Sequence, residues 1–230
     1  MKQQRAQYNT EQVLQLAVVT DKAQGFIKSG YGYYDFENDT NVYDNKSCIM
    51  RYITGDVAWP EITDEVNEVV SDIKDSFRNE LIAKKLSGTL NNFEDSVLKS
   101  LSEATTDSFG ISIIASLPNS LRVQKQRQGL SDWFDDMRDK SEFVGKIGER
   151  VKMNVQVKDV KYIAKFGIHL VTCVTDNDNI VKFFFNKEPD IAGILEGRSV
   201  KLTGKVKTHD VSKFSDCKET VFNYVKIEEK

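Results

Sequence analysis

Two periodicities divide this chain. Up to about residue 140 apolar side chains recur every three or four positions, and after Gly148 they alternate with polar ones. A helix returns a face to its core every 3.6 residues and a half-buried strand every two, so the switch predicts helices followed by strands. From Pro60, residues Ile62, Val66, Val69, Val70, Ile73, Phe77, Leu81 and Ile82 keep helical spacing, with Thr63 placed as a cap and Gly88 as a stop. Residues 11–19, carrying Val13, Leu14, Ala17 and Val18, predict a shorter helix capped by Thr10. Another begins near Asn92, with Phe93, Val97, Leu98 and Leu101 on one stripe. The apolar run "FGISIIASLP" closes at Pro118, and "LSDWFDDMRDKSEFVG" predicts a helix leading into the second half, punctuated by Gly145 and Gly148. Between the first two helices, "GFIKSGYGYYDFENDTNVYDNKSCIMRYITGD" is dense in turn formers and aromatics. It reads as a hairpin or packed loop with Tyr31, Tyr33 and Tyr34 buried; the alternative is a flexible loop whose rings stack on bases.

In the second half, Val151, Met153, Val155 and Val157 share one face of a strand whose other face carries Lys152, Asn154, Gln156 and Lys158. "FGIHLVTCVT" and "IVKFFFN" form a hairpin about the turn "TDNDN". "PDIAGILEG" predicts one short helical turn ended by Gly197, and "RSVKLTGKVKTHD" and "KETVFNYVKI" are the last two strands. Five strands with a small helix between the third and fourth match the OB-fold barrel; an SH3-like barrel does not ordinarily place its helical turn there. The expected fold class is therefore α+β: a mainly helical domain over 1–140, then a five-stranded OB-fold β-barrel over 141–230.

Composition narrows the functional classes. With 40% hydrophobic and 29% charged residues the chain reads as globular and not disordered. No apolar run nears the ~20 residues of a membrane span, and "MKQQRAQYNTEQ" lacks a secretory signal's apolar stretch, so a cytoplasmic protein is expected. Three dispersed cysteines, Cys48, Cys173 and Cys217, suit free thiols. A zinc site would need His169, Cys173, His209 and Cys217, and the first two would lie about 13 Å apart on one strand. Asp132, Asp135, Asp136, Asp139 and Glu142 have the spacing of a solvated acidic helix face, and no metal or other cofactor is expected. No phosphate loop, HExxH, GxSxG or dinucleotide fingerprint is present. Asp159 to Lys161 has only a faint nuclease look, so a non-enzymatic binding protein is expected.

Residues 1–140 carry 16 Lys and Arg against 22 Asp and Glu, whereas residues 141–230 carry 16 against 13. A polyanion would meet the second half. On "IVKFFFN", Val181, Phe183 and Phe185 share the inward face, leaving Lys182 and Phe184 outward, where a base could stack on the ring and a phosphate meet the lysine. OB-folds bind ligands on strands two and three and on the loops joining strands one to two and four to five. The candidates are Lys161, Tyr162, Lys165 and Phe166 at the first loop, and His209, Lys213 and Phe214, with Lys218, at the other. Strand four adds Lys205 and Lys207, with Lys201, and strand five adds Phe222 and Tyr224 on its expected outer face.

The stretch from "KSEFVGKIGERVKMNVQVKDV" through "CVTDNDNIVKFFFNK", continued by "LEGRSVKLTGKVKTHD" and "KETVFNYVKI", resembles a C-terminal module of uncharacterised phage proteins thought to act in DNA replication. The "EFVGKIGER" entry, the acidic turn before strand three, and "GKVKTH" followed by a threonine-bearing last strand carry that resemblance. "SGYGYYDFENDTNVYDN" and "FGISIIASLP" extend it over most of the chain. It implies a phage protein of the DNA-replication setting, in the host cytoplasm. Together with the basic, ring-bearing face of the barrel, the expected function is binding of single-stranded DNA in replication or recombination, with the acidic helical domain serving self-association or docking a replication protein. The alternative is an adaptor or inhibitor whose barrel binds a replication or host protein.

Overall fold

The computed structural model describes residues 6–190 and 192–229. The first five residues of the stretch searched for a secretory signal, and Ile191 of the expected helical turn, lie outside them. The chain forms two compact units, divided at Lys125/Gln126. This is earlier than the 140/141 boundary expected from periodicity alone.

The first unit is built on α1 (Thr10–Gln24), α2 (Asn45–Thr54), α3 (Asp64–Leu86), α4 (Asn92–Ser102) and α5 (Ser108–Ile114). Two strand pairs join them: β1 (Tyr8–Asn9) with β4 (Thr105–Thr106), and β2 (Tyr33–Asp35) with β3 (Thr40–Val42). α1 buries Val13, Leu14, Leu16, Ala17 and Val18, which are apolar over more than one stripe, so it sits at the centre of the core. Its cap is Asn9, whose side chain accepts from Gln12 N at 3.0 Å, one residue before the expected Thr10. Thr63 caps α3 as its position predicts, and Asn91 with Glu94 forms a capping box on α4. At Gly110 any Cβ would stand 1.8 Å from Thr106 Oγ1, so only glycine lets α5 lie against β4. The Tyr/Gly-rich segment does form a hairpin, β2–β3, but Tyr31, Tyr33, Tyr34 and Phe36 stand exposed on it. A three-residue strand pair has too little buried face to cover them.

The second unit is a closed barrel of β5 (Arg150–Ile163), β6 (Ile168–Thr175), β7 (Ile180–Phe185), β8 (Ser199–Val211) and β9 (Lys218–Glu229), in the order β5-β6-β7-β9-β8. β7 and β9 run parallel and every other neighbouring pair antiparallel, which is the OB-fold arrangement. β5 pairs with β8 along its first half and with β6 along its second, bending at a bulge between Val157 and Asp159. Val155, Val157, Val171, Cys173, Val181, Phe183, Leu202 and Phe222 fill the interior. The expected helical turn between strands three and four is instead a series of turns around Pro189 to Gly197, and its Ile194 enters the core. Gly193 and Gly197 within this short segment and the fixed φ of Pro189 favour turns over a sustained helix.

The largest departure from the pattern of the sequence is α6 (Leu117–Met137). Pro118 opens this helix, near the position where its missing N–H costs nothing, and does not close the preceding run. Its last turns belong to the second unit. No helix among the described residues is long and apolar enough to cross a membrane.

Candidate nucleic-acid interface

The outward side chains of β6 and β7 are Leu170, Thr172 and Val174, and Ile180, Lys182 and Phe184, in the register Leu170↔Phe184, Thr172↔Lys182 and Val174↔Ile180. Strand pairing brings this proposed face together, and α6 then covers its lower two thirds. Trp133, Phe134 and Met137 pack with Val174, Ile180 and Cys217 in a second apolar cluster, separate from the barrel core. Thr172 is buried although it points away from that core.

Lys182 lies inside this covered zone. Its Nζ is 2.7 Å from Glu219 Oε1, with the two side chains only 17% and 7% exposed, and 5.4 Å from the centre of the Phe134 ring. The lysine expected to meet phosphate is therefore committed to a buried carboxylate and an aromatic face.

Phe184 escapes the cover and is 50% exposed. It continues a row across three strands, Lys161↔Leu170↔Phe184, whose lysine is also exposed. Directly above that row the β5–β6 turn carries Lys165 and Phe166, both exposed, with Lys165 Nζ 5.4 Å from the ring centre. Gly167, at φ 61°, closes the turn in the left-handed region. Tyr162 and His169 flank the nearby mouth of the barrel, their rings 5.0 Å apart and tilted.

The two aromatic loops do not converge. β8 runs antiparallel to β5, so the β8–β9 loop stands at the end of the barrel opposite the β5–β6 turn. Lys213 and Phe214 are exposed there. The loop is anchored on the end of α6 by Arg138 Nε donating to Ser215 O (3.3 Å) and Cys217 Sγ donating to Phe134 O (3.2 Å). His209 stacks on Phe143 at 4.6 Å and 9°, with Nε2 3.3 Å from Val144 O, which fixes the entry segment beneath the barrel.

Phe222 is a correction: it is 2% exposed and packs inside the barrel, in register with inward Val206. Tyr224 is 73% exposed as expected, although strict alternation would place it on the same face as Phe222. The difference is an irregularity: Lys205↔Asn223 is followed by Thr203↔Lys226, so β9 carries an extra residue, and Tyr224 takes φ 51° there.

Lys205 and Lys207 stand on the wall of the barrel away from β6 and β7. With them, the pairings place Arg150, Lys152, Lys201 and Lys226, all exposed. Alternation already turns these cations outward; only strand closure shows that they are neighbours.

Among the described residues no group of three or more His, Cys, Asp or Glu could hold a metal ion. Asp159 lines a groove of about 260 Å³ with Gln126, Trp133, Lys158 and Glu196. Its carboxyl is pushed above the ordinary carboxylate range by burial and by the nearby Glu196. Asp159 faces no nucleophile there, and Lys161 tempers its charge from two residues along the strand. No protein-family model, curated protein or solved structure matches the chain.

Proposed function

We propose that the barrel binds single-stranded nucleic acid, DNA foremost, and that the protein acts in replication or recombination as a non-enzymatic binding protein. The observation that carries this reading is the uncovered row Lys161, Leu170, Phe184 with Lys165 and Phe166 above it. Exposed rings beside cations are the chemistry that holds a single strand, because every base has a face to stack and every nucleotide a phosphate. An isolated exposed phenylalanine needs no special explanation; two of them beside lysines at one end of an OB barrel favour a ligand.

A second reading, an adaptor whose barrel binds a protein, is favoured by the cover that α6 places over the middle of the face. Fluorescence anisotropy with labelled single-stranded DNA, single-stranded RNA and duplex, at low and moderate salt, separates the two. The nucleic-acid reading expects salt-sensitive binding to single strands, weakened about fivefold or more by Phe184→Ala and by Phe166→Ala. Unchanged affinity in both variants, with the fold intact, rejects this face, and absence of salt-sensitive binding rejects the function.

A further inference from the structure

We propose that the outer surface of β5, β8 and β9 is a second contact surface for the strand, with the cations following the phosphates and Tyr224 stacking an unpaired base. Three features point to this surface. First, Arg150 faces Lys205 directly across the β5–β8 pair, and Lys152 and Lys226 flank Thr203 in the adjacent row. Directly opposed like charges destabilise a sheet unless an anion lies over them.

Second, all but one of these cations lack a carboxylate partner among the described residues. Of Arg150, Lys152, Lys201, Lys205, Lys207 and Lys226, only Lys152 meets a carboxylate among the described residues, Glu228 at 3.2 Å. Elsewhere on the barrel, Lys182 and Lys218 are neutralised by Glu219 and Glu142. The basic surface is thus a local excess that the balance of the whole second half conceals.

Third, Tyr224 occupies a position normally taken by glycine. A bulky side chain at φ 51° is strained, and strain of this kind persists where the surrounding structure holds it for a purpose. Here the strained backbone turns a large ring out beside Asn223, the residue paired with Lys205. A stacking ring requires an unpaired base, so a single strand fits this surface better than a duplex.

The identity of the ligand rests on the proposed function; the location does not. The test titrates the full-length chain with labelled oligodeoxythymidylate across a range of salt. The Arg150→Gln/Lys205→Gln/Lys226→Gln variant is expected to bind at least tenfold more weakly at moderate salt. Its slope of log affinity against log salt should fall by about 2, near 0.7 for each lost phosphate contact. Tyr224→Gly should bind about fivefold or more weakly while its melting temperature holds or rises, since glycine relieves the strain, and Tyr224→Phe should retain affinity. If the triple variant keeps wild-type affinity and slope while Phe184→Ala is impaired, the second surface is rejected and the proposed function stands. If the wild type binds no oligonucleotide, both are rejected. Equal affinity for duplex, with Tyr224→Gly neutral, overturns the stacking role.

Discussion

Lys182 and Phe184 stand two residues apart on the outer side of β7 and have opposite surroundings. Phe184 is half exposed beyond the edge of α6, whereas Lys182 lies beneath it in contact with Glu219 and Phe134. A buried pair contributes little against apolar replacements of similar size, but removing one partner strands the other charge. Lys182→Met is therefore expected to destabilise the protein by about 3 kcal/mol, and Lys182→Met/Glu219→Met to recover to within about 1 kcal/mol of wild type, as read by urea unfolding. The double variant should also keep its oligonucleotide affinity; a loss would return Lys182 to the interface. Asp159 presents the reverse electrostatic case. Burial raises its carboxyl above the usual aspartate value, so the folded state holds the charged form at a cost. The sign follows: stability falls as pH rises from the unfolded value through the raised folded one, and the cost persists at neutral pH. Asp159→Asn should raise the melting temperature at pH 7, and the gain should shrink in acid as the wild-type carboxyl takes up its proton. A gain that is the same at every pH would show that charge is not its source.

The elements differ in how far alternation and spacing reveal them. β5 and β8 follow from the period-two pattern because each has one wet and one dry face over most of its length, whereas β6 and β7, buried on both faces over their covered part, show as short apolar runs bounded by turns. Phe183 and Phe185 lie on the inward side and Phe184 on the outward side, as their parity requires. Phe222 and Tyr224 break the inference because parity carries only to the next bulge, and the extra residue in β9 follows from pairing with β8. α6 was only half legible. Pro118 can stop one helix or begin another, and the acids Asp132, Asp135 and Asp136 mark a solvated face of its later turns without showing what Trp133, Phe134 and Met137, interleaved with them, pack against. Nor does any local pattern reveal that this helix roofs β6 and β7, since Val174 and Ile180 read simply as members of apolar strands. The row Lys161, Leu170, Phe184 was legible in its exposed end members. The basic surface on β5, β8 and β9 was visible only as scattered lysines, because its coherence depends on barrel closure.

At the scale of the molecule, the division at Lys125/Gln126 separates charge as well as structure. Residues 1–125 carry 13 Lys and Arg against 18 Asp and Glu, and residues 126–230 carry 19 against 17. The cluster of Trp133, Phe134 and Met137 with Val174, Ile180 and Cys217 makes the last turns of α6 part of the barrel's own fold. A fragment of residues 126–230 is therefore expected to fold cooperatively, with dispersed amide resonances. One of residues 141–230, the unit that alternation defines, loses the burial of three large side chains, on the order of 4 kcal/mol, and exposes an apolar patch. Thermal unfolding and dye binding compare the two directly; equal stability would show that α6 merely rests on the barrel. Freed of the acidic first unit, the 126–230 fragment should also bind oligonucleotide more tightly than the full chain at low salt, with the difference fading as salt screens the charge. A fragment that folds yet binds more weakly would place part of the interface in residues 1–125, where the exposed rings of the β2–β3 hairpin are the groups to test.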